Sequence, residues 1–425
     1  MPDIIIRNVT YWNEVTNLHW ADGLVFPVTE PKGIDAIEID GTGLVAVNDL
    51  VDGHVHFRDP GLTEKEDLLS GARAAAAGGF GTVICEPNTR PVIDTPAAVH
   101  AFYQRLQDLQ IPIHIYTKSA LTVRQSGETL TDFAGIARAG AVAFSDDGEP
   151  IVSDMLLASA LEQLSASEFS SFPITAHCEE TPRSAARVRL HLGEGQDMMR
   201  EPDIIRMHLA VLERMQASLH YCPNLLIQHI SLAESARMIA VAKRNGLRVK
   251  AEVTPHHLLL CQDDIPLRAG EPDPNWKMNP PLRSRDDMLA MRQALAEGVI
   301  DCIATDHAPH TPEEKANSWG EAPFGVIGLE TAIGACLTLV HDGTIGSEEL
   351  FDVMSNKQQL VYSSINDYYN QPLTLIDMNA EWTVDPDKFY SKSRNCPFAG
   401  MTFKGKPMYT IAGGKLVMAE GEVLF

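Results

Sequence analysis

The residues able to do chemistry sit in five short stretches: DGHVHFRDPG (52–61), FSDDG (144–148), ITAHCEE (174–180), IQHIS (227–231) and IATDHAPH (303–310). In the first, His54, His56 and Arg58 alternate with Val55 and Phe57. A period of two puts the three polar side chains on one face of a strand. Two imidazoles on one inward face can chelate one ion. The other stretches add Asp146, Asp147, His177, His229, Asp306, His307 and His310. A single strand histidine is more often a satisfied core group than a ligand, and H-x-H alone decides nothing. Imidazoles and carboxylates delivered to one place by several stretches are a donor set for divalent metal. Six ligands exceed what one tetrahedral Zn²⁺ takes. Two ions sharing a carboxylate use them all.

Each of these stretches closes an apolar run of strand type. Eight runs are predicted: Leu50–Phe57, Gly81–Cys85, Ile113–Thr117, Ala141–Phe144, Pro173–His177, Leu225–Ile230, Val249–Thr254 and Ile300–Thr305. Between them, helical periodicity predicts helices at Glu64–Ala77, Pro96–Gln110, Thr131–Ala139, Asp154–Leu164, Asp203–Leu219, Ala233–Asn245 and Arg285–Glu297. Eight strands alternating with helices predict an α/β fold, a (β/α)₈ TIM barrel, whose active sites lie at the C-terminal ends of the strands. A doubly wound open sheet is the alternative, but no G-x-G-x-x-G follows the first run. Both flanks read as all-β, with Ile4–Val9, Gly23–Val28 and Ala36–Ile39 at one end and Leu373–Ile376, Pro407–Ile411 and Gly414–Met418 at the other. The expected organisation is a small β-sandwich-like domain from residues 1–48 plus 362–425, and a metal-dependent barrel from 49–361.

Composition narrows the function classes. The 425 residues are 44% hydrophobic and 21% charged, as in a folded globular protein. A net charge of −23 offers no sequence-independent grip on nucleic acid or anionic membrane. An anionic ligand therefore needs a local site. The longest apolar runs, such as Leu225–Ile227, fall far short of a membrane span. The start MPDIIIRNVT lacks the pattern of a signal peptide, and seven scattered cysteines without C-x-x-C suit reduced thiols. A cytoplasmic location is expected.

The motifs VDGHVHFRDPG, EPNTRP, FSDDG, TAHCEE, EVTPHHLLL, KMNPPLR and DCIATDHAPHTPEEK together resemble the dihydroorotase family of the cyclic amidohydrolase superfamily. The resemblance implies two divalent ions, zinc first, with His54, His56 and Asp306 on one and His177 and His229 on the other. In much of the superfamily a carboxylated lysine on the fourth strand bridges the ions. No lysine stands there in this chain, and FSDDG resembles the branch that bridges with aspartate, which points to Asp147 over Asp146. The resemblance also implies substrate contacts at His56, Arg58, Asn88, Asn279, His310, Phe324 and Gly325, and Asp306 as the catalytic proton carrier. The implied reaction is the reversible opening of L-dihydroorotate to N-carbamoyl-L-aspartate, used for ring closure in pyrimidine biosynthesis. A guanidinium one strand step beyond the ligands suits a substrate carboxylate; its bland reading is an ion pair with Asp59 or Glu64. Asn88 and Asn279 also read as turn residues.

His256 and His257 read as structural groups, and His307 as orienting Asp306. The polar segment from His310 to Gly325 reads as a lid or an ordered surface loop at the barrel mouth. Two other functions are carried: a hydantoinase or allantoinase, disfavoured by the absent lysine, and a metal-free superfamily scaffold, which requires broken ligands. A homodimer is the expected assembly, and association with aspartate carbamoyltransferase, seen in some relatives, is a further expectation.

Overall fold

A computed structural model describes residues 3–30, 36–180, 200–219, 223–365 and 371–425. Five strands open the chain: β1 (Ile4–Tyr11), β2 (Glu14–Ala21), β3 (Leu24–Val28), β4 (Ile37–Asp40) and β5 (Val45–Asn48). The barrel strands follow: β6 (Val51–Val55), β7 (Thr82–Cys85), β8 (His114–Thr117), β9 (Phe144–Ser145), β10 (Ile174–Ala176), β11 (Leu225–Ile227) and β12 (Val249–Val253). A short hairpin, β13 (Leu267–Arg268) and β14 (Glu271–Pro272), precedes the eighth barrel strand, β15 (Cys302–Ile303). Four strands close the chain: β16 (Leu373–Thr383), β17 (Thr402–Ala412), β18 (Lys415–Ala419) and β19 (Glu422–Val423).

The barrel closes on itself. Parallel pairing runs β6-β7-β8 and β9-β10-β11-β12-β15. Parallel bridges Ser119↔Phe144 and Val55↔His307 join the two arcs. Closure leaves no unpaired edge and turns all eight C-terminal ends toward one mouth.

The expected helices form at α1 (Leu68–Ala77), α2 (Pro96–Leu109), α3 (Phe133–Arg138), α4 (Asp154–Ser165), α5 (Glu201–Ser218) and α6 (Ala233–Arg244). After α7 (Pro255–Leu259) comes the last of them, α8 (Arg285–Ala296). Side-chain caps set several starts, Thr95 on α2, Ser153 on α4 and Ser284 on α8. The first helix begins four residues later than its periodicity predicts. There the Asp67 carboxylate accepts the Leu69 and Ser70 N–H groups, and the Ser70 hydroxyl returns to the Asp67 N–H. That capping box fixes the start. The regular part of β9 also lies later than predicted, although Val142 N–H still bonds the Thr117 carbonyl in the wall.

The chain ends join in one nine-stranded sheet through antiparallel β5 and β16, with Leu373 opposite Asn48 and Ile376 opposite Val45. Ile4, Ile6, Leu18, Trp20, Leu375 and Ile411 form its core. Strand β2, which carries Asn17 and His19 among its apolar residues, is an element that the sequence pattern does not announce. Six cysteines are buried free thiols; Cys222 lies outside the described residues. Among the described residues no helix is long and apolar enough to cross a membrane.

Candidate metal centre and substrate wall

The strand ends bring the expected ligands together. His54 lies on β6 and His56 one residue past it, while Asp147, His177, His229 and Asp306 follow β9, β10, β11 and β15. His54 Nε2 is 3.3 Å from Asp147 Oδ1 and 3.5 Å from Asp306 Oδ1. His56 Nε2 lies 3.0 Å from Asp306 Oδ1 and 3.4 Å from Asp147 Oδ2. Beyond Asp147, His177 Nδ1 and His229 Nε2 are 3.0 Å apart, at 3.8 and 3.7 Å from Asp147 Oδ1. All six side chains are buried. Asp147 thus stands between two groups of donors. Asp146 turns away, accepting the Thr122 N–H at 3.0 Å and the Thr122 hydroxyl.

The donor set fits cations. The histidine, aspartate and histidine of one group, His54, Asp147 and His229, have donor atoms within 4.8 Å of one another, as do His54, His56 and Asp306. His54 Nε2, Asp147 Oδ1 and His229 Nδ1 are buried without hydrogen-bond partners, at a cost of about 1–3 kcal/mol for each unsatisfied atom. Charge points the same way. Burial lowers the His54 pKa, but Asp147, Glu252, Asp306 and Glu86 outweigh it and raise it well above the usual value. Burial raises Asp147, yet His54, His229 and His56 hold it well below the carboxylate range. Carboxylates crowded around imidazoles make an excess of negative charge that a divalent ion neutralises.

Partners of the candidate ligands fix their tautomers. His56 Nδ1–H donates to Asn88 Oδ1 at 2.9 Å, which leaves Nε2 for a metal. The Asn88 amide nitrogen in turn reaches Asp147 Oδ2 at 3.2 Å, so Asn88 is more than a turn residue. His54 Nδ1–H donates to Glu252 Oε1 at 2.9 Å. Behind them Gln228 Nε2 donates to Glu86 Oε1 at 2.8 Å, and Lys118 also bonds Glu86. Glu252, Gln228, Glu86 and Lys118 are residues that the search for ligands overlooks. A glutamate inside the apolar run VKAEV was the available signal for Glu252.

On the opposite wall, Arg58 is half-buried, with Nε donating to Pro309 O at 3.3 Å and Nη2 at 3.5 Å from His310 Nε2. Among the described residues no carboxylate pairs with it, since Asp59 bonds Arg105 at 2.7 Å. Burial, with Arg58, Lys315 and Lys65 close by, holds the His310 imidazole neutral, far below its usual pKa. Its Nε2–H donates to Phe324 O at 2.8 Å. Asn279 Nδ2 lies 3.3 Å from His177 Nε2, at the second group of donors. Gly325 takes φ 136°, and a Cβ there would lie 2.7 Å from Ala308 O. Arg58, His229 and Asp306 hold left-handed backbone at φ 57°, 34° and 49°, strain of about 1–3 kcal/mol each that active sites tolerate.

The neighbouring histidines separate. His257 bonds Thr254 Oγ1 at 2.8 Å and Pro280 O at 3.1 Å, a structural tie, while the buried His256 Nε2 has no partner. His307 does not orient Asp306. Its Nε2 faces Glu66 Oε2 at 3.3 Å and its Nδ1 accepts the Gly328 N–H at 3.2 Å. The segment 310–325 is not all loop, because Thr311 caps the short helix α9 (Pro312–Ala316).

The dihydro-orotase-like family model matches residues 43–186. A dihydroorotase of Halalkalibacterium halodurans is 42% identical over 99% of this chain and 97% of its own length. Another, from Brevibacillus brevis, is 41% identical over 91% of this chain and 90% of its own. The chain belongs to the dihydroorotase family. As a member it is a hydrolase of the cyclic amidohydrolase kind, a metal-dependent class, and the buried donor groups supply places for metal. Solved structures show the same fold. The L-hydantoinase (dihydropyrimidinase) from Arthrobacter aurescens has a TM-score of 0.83 at 24% identity, covering 100% of this chain and 98% of that one. A dihydropyrimidinase from Brevibacillus agri gives 0.81 at 17%, covering 99% and 96%.

Proposed function

We propose that the protein hydrolyses L-dihydroorotate to N-carbamoyl-L-aspartate and, in reverse, closes that ring for pyrimidine biosynthesis. The observation that carries the reading is Asp147 between two donor groups, opposite an Arg58 that lacks a carboxylate partner among the described residues. His54, His56 and Asp306 would hold one ion and His177 and His229 the other, with Asp147 shared; zinc suits these donors. Two such ions supply polarisation of an amide carbonyl and activation of water.

The chain's own residues do the rest. Arg58 meets the substrate carboxylate, with His310, Asn279 and the Phe324–Gly325 backbone around the ring amide and Asn88 holding His56 in place. As water oxygen bonds to the ring carbonyl carbon and the carbon–nitrogen bond breaks, Asp306 takes the water's proton and returns it to the leaving ring nitrogen. In this reading residues 1–48 plus 362–425 form the accessory unit and 49–361 the catalytic barrel. The protein works in the cytoplasm as a homodimer, and aspartate carbamoyltransferase is the macromolecular partner to test, by light scattering and co-purification.

The deciding experiment measures bound metal together with turnover of dihydroorotate, hydantoin and allantoin. Two zinc per chain with turnover of dihydroorotate alone is the expected result. Turnover of hydantoin or allantoin without dihydroorotate refutes it, and a stable metal-free protein without turnover makes it a scaffold.

A further inference from the structure

The wall facing Arg58 is built from residues 308–327, and one side chain from far along the chain ties its two ends together. Asn395 lies between β16 and β17 and is 1% exposed. Its Nδ2 donates to Ala308 O at 3.1 Å and Gly325 O at 3.0 Å, and its Oδ1 accepts the His310 N–H at 3.3 Å. Its own carbonyl accepts the Ile327 N–H at 3.0 Å. Both amide protons and the amide oxygen are thus spent on backbone at or beside the substrate positions. The spacing has little slack, because a Cβ at Gly325 would lie 3.0 Å from the His310 ring.

The middle of the wall is held separately. Lys277 Nζ donates to the carbonyls of Trp319 and Ala322 at 2.6 Å and lies 4.6 Å from the Phe324 ring centroid. The Lys277 carbonyl accepts the Gly325 N–H at 2.9 Å. Lys315 Nζ donates to Pro274 O and Pro323 O at 2.9 Å and to Lys277 O at 3.2 Å. The Asn395 segment has anchors of its own: Val384 N–H bonds Met401 O, Gly400 N–H bonds Val384 O, and Ser391 and Lys392 bond Glu66. The Asn395 amide is therefore not what keeps that segment in place.

We propose that Asn395 is a positioning residue for substrate binding, which sets the separation of His310 from Phe324–Gly325 and so shapes the wall that receives the substrate's carboxylate end. The proposal rests on the dihydroorotase reading of the site. It extends that site into the C-terminal part of the chain, beyond the barrel strands.

The test compares wild type, Asn395→Ala and Asn395→Asp as metal-loaded full-length protein, with metal content, melting temperature, and kcat and KM for dihydroorotate and for dihydrouracil, which lacks the carboxylate. The aspartate keeps the shape but sets carboxylate oxygen against two carbonyls. We expect unchanged metal and a fall in kcat/KM for dihydroorotate of roughly ten- to a hundred-fold, the scale of a small misplacement of substrate. That fall should lie mostly in KM and shrink the preference over dihydrouracil. A lower melting temperature with KM and preference unchanged makes Asn395 purely structural and overturns the proposal, as does loss of metal in step with activity. If neither variant folds, Asn395→Ser, which leaves a single donor for the two carbonyls, is measured in the same way, and an unchanged KM and preference there also overturn it. Wild type inactive on dihydroorotate fails the reading of the site itself, whereas active wild type with unaltered variants fails this proposal alone.

Discussion

Glu252→Leu should cripple metal binding although Glu252 is not among the six candidate ligands. Glu252 is fully buried, and its Oε1 accepts the His54 Nδ1–H at 2.9 Å. That bond keeps the proton on Nδ1 and the lone pair on Nε2, the atom facing Asp147 and Asp306. Gln228 Nε2 lies 3.1 Å from the same Nδ1. With the carboxylate gone, the Gln228 amide becomes the neighbour that decides the tautomer. The amide cannot simply turn over, because its other proton is held by Glu86 Oε1 at 2.8 Å, and a reversed amide would set oxygen against oxygen. Gln228 then donates to Nδ1, the imidazole proton moves to Nε2, and the ligand atom is blocked.

Loss of a carboxylate behind a metal-binding histidine costs about 10- to 100-fold in affinity, or about 1.4–2.7 kcal/mol. The wrong tautomer places this variant at the upper end. Chelator competition with purified protein reads the change as a metal dissociation constant. Glu252→Gln, which can still accept from Nδ1, should lose less. Adding Gln228→Leu to Glu252→Leu should recover part of the affinity, since nothing then favours the blocked tautomer. Metal affinity of Glu252→Leu within threefold of wild type, or no recovery in the double variant, refutes the tautomer argument.

Asp147→Ala should lose at least one of two metals, whereas Asp146→Ala, whose carboxylate bonds Thr122, should keep both; metal analysis showing the reverse exchanges their roles. Arg58→Met should retain metal and weaken dihydroorotate binding by about 2 kcal/mol, roughly 30-fold, and equal wild-type activity on dihydrouracil would remove the reason for that role. Asp306→Asn keeps a coordinating oxygen but cannot carry a proton, so turnover should fall by about 10²–10⁴; more than a tenth of wild-type turnover with both metals bound leaves Asp306 a ligand only. Burial, reinforced by Lys277, lowers the Lys315 pKa to about 7, so between pH 7 and about 10.5 the unfolded chain binds more protons than the folded one. Wild-type stability should therefore rise with pH relative to Lys315→Met across that window, by at most about 1.4 kcal/mol per pH unit. A difference that stays flat from pH 7 to 10 in denaturant titrations contradicts a depressed lysine.

What could be read from sequence follows from how each feature is encoded. The barrel is written in the chain many times over, as eight apolar runs closed by polar residues with seven helical stretches between them, so an error in any one run leaves the architecture standing. Helix starts are encoded by one or two capping atoms, which is why α1 begins at Leu68 and not at Glu64. The convergence of His54, His56, Asp147, His177, His229 and Asp306 was legible because each stands at the end of a strand, and closure of a parallel barrel sends all strand ends to one mouth. Groups that act from behind carry no such positional signature. Glu252 sits within a strand one residue before its end, where its alternation with Val253 gives no sign that it meets an imidazole from β6, 198 residues earlier. Asn395 is less legible still, since SRNCPF has neither periodicity nor ligand spacing, and the bonds to Ala308, His310 and Gly325 exist only after the C-terminal segment has crossed to the barrel mouth. Ligand identity is local in sequence, but ligand orientation depends on contacts that only the closed fold creates.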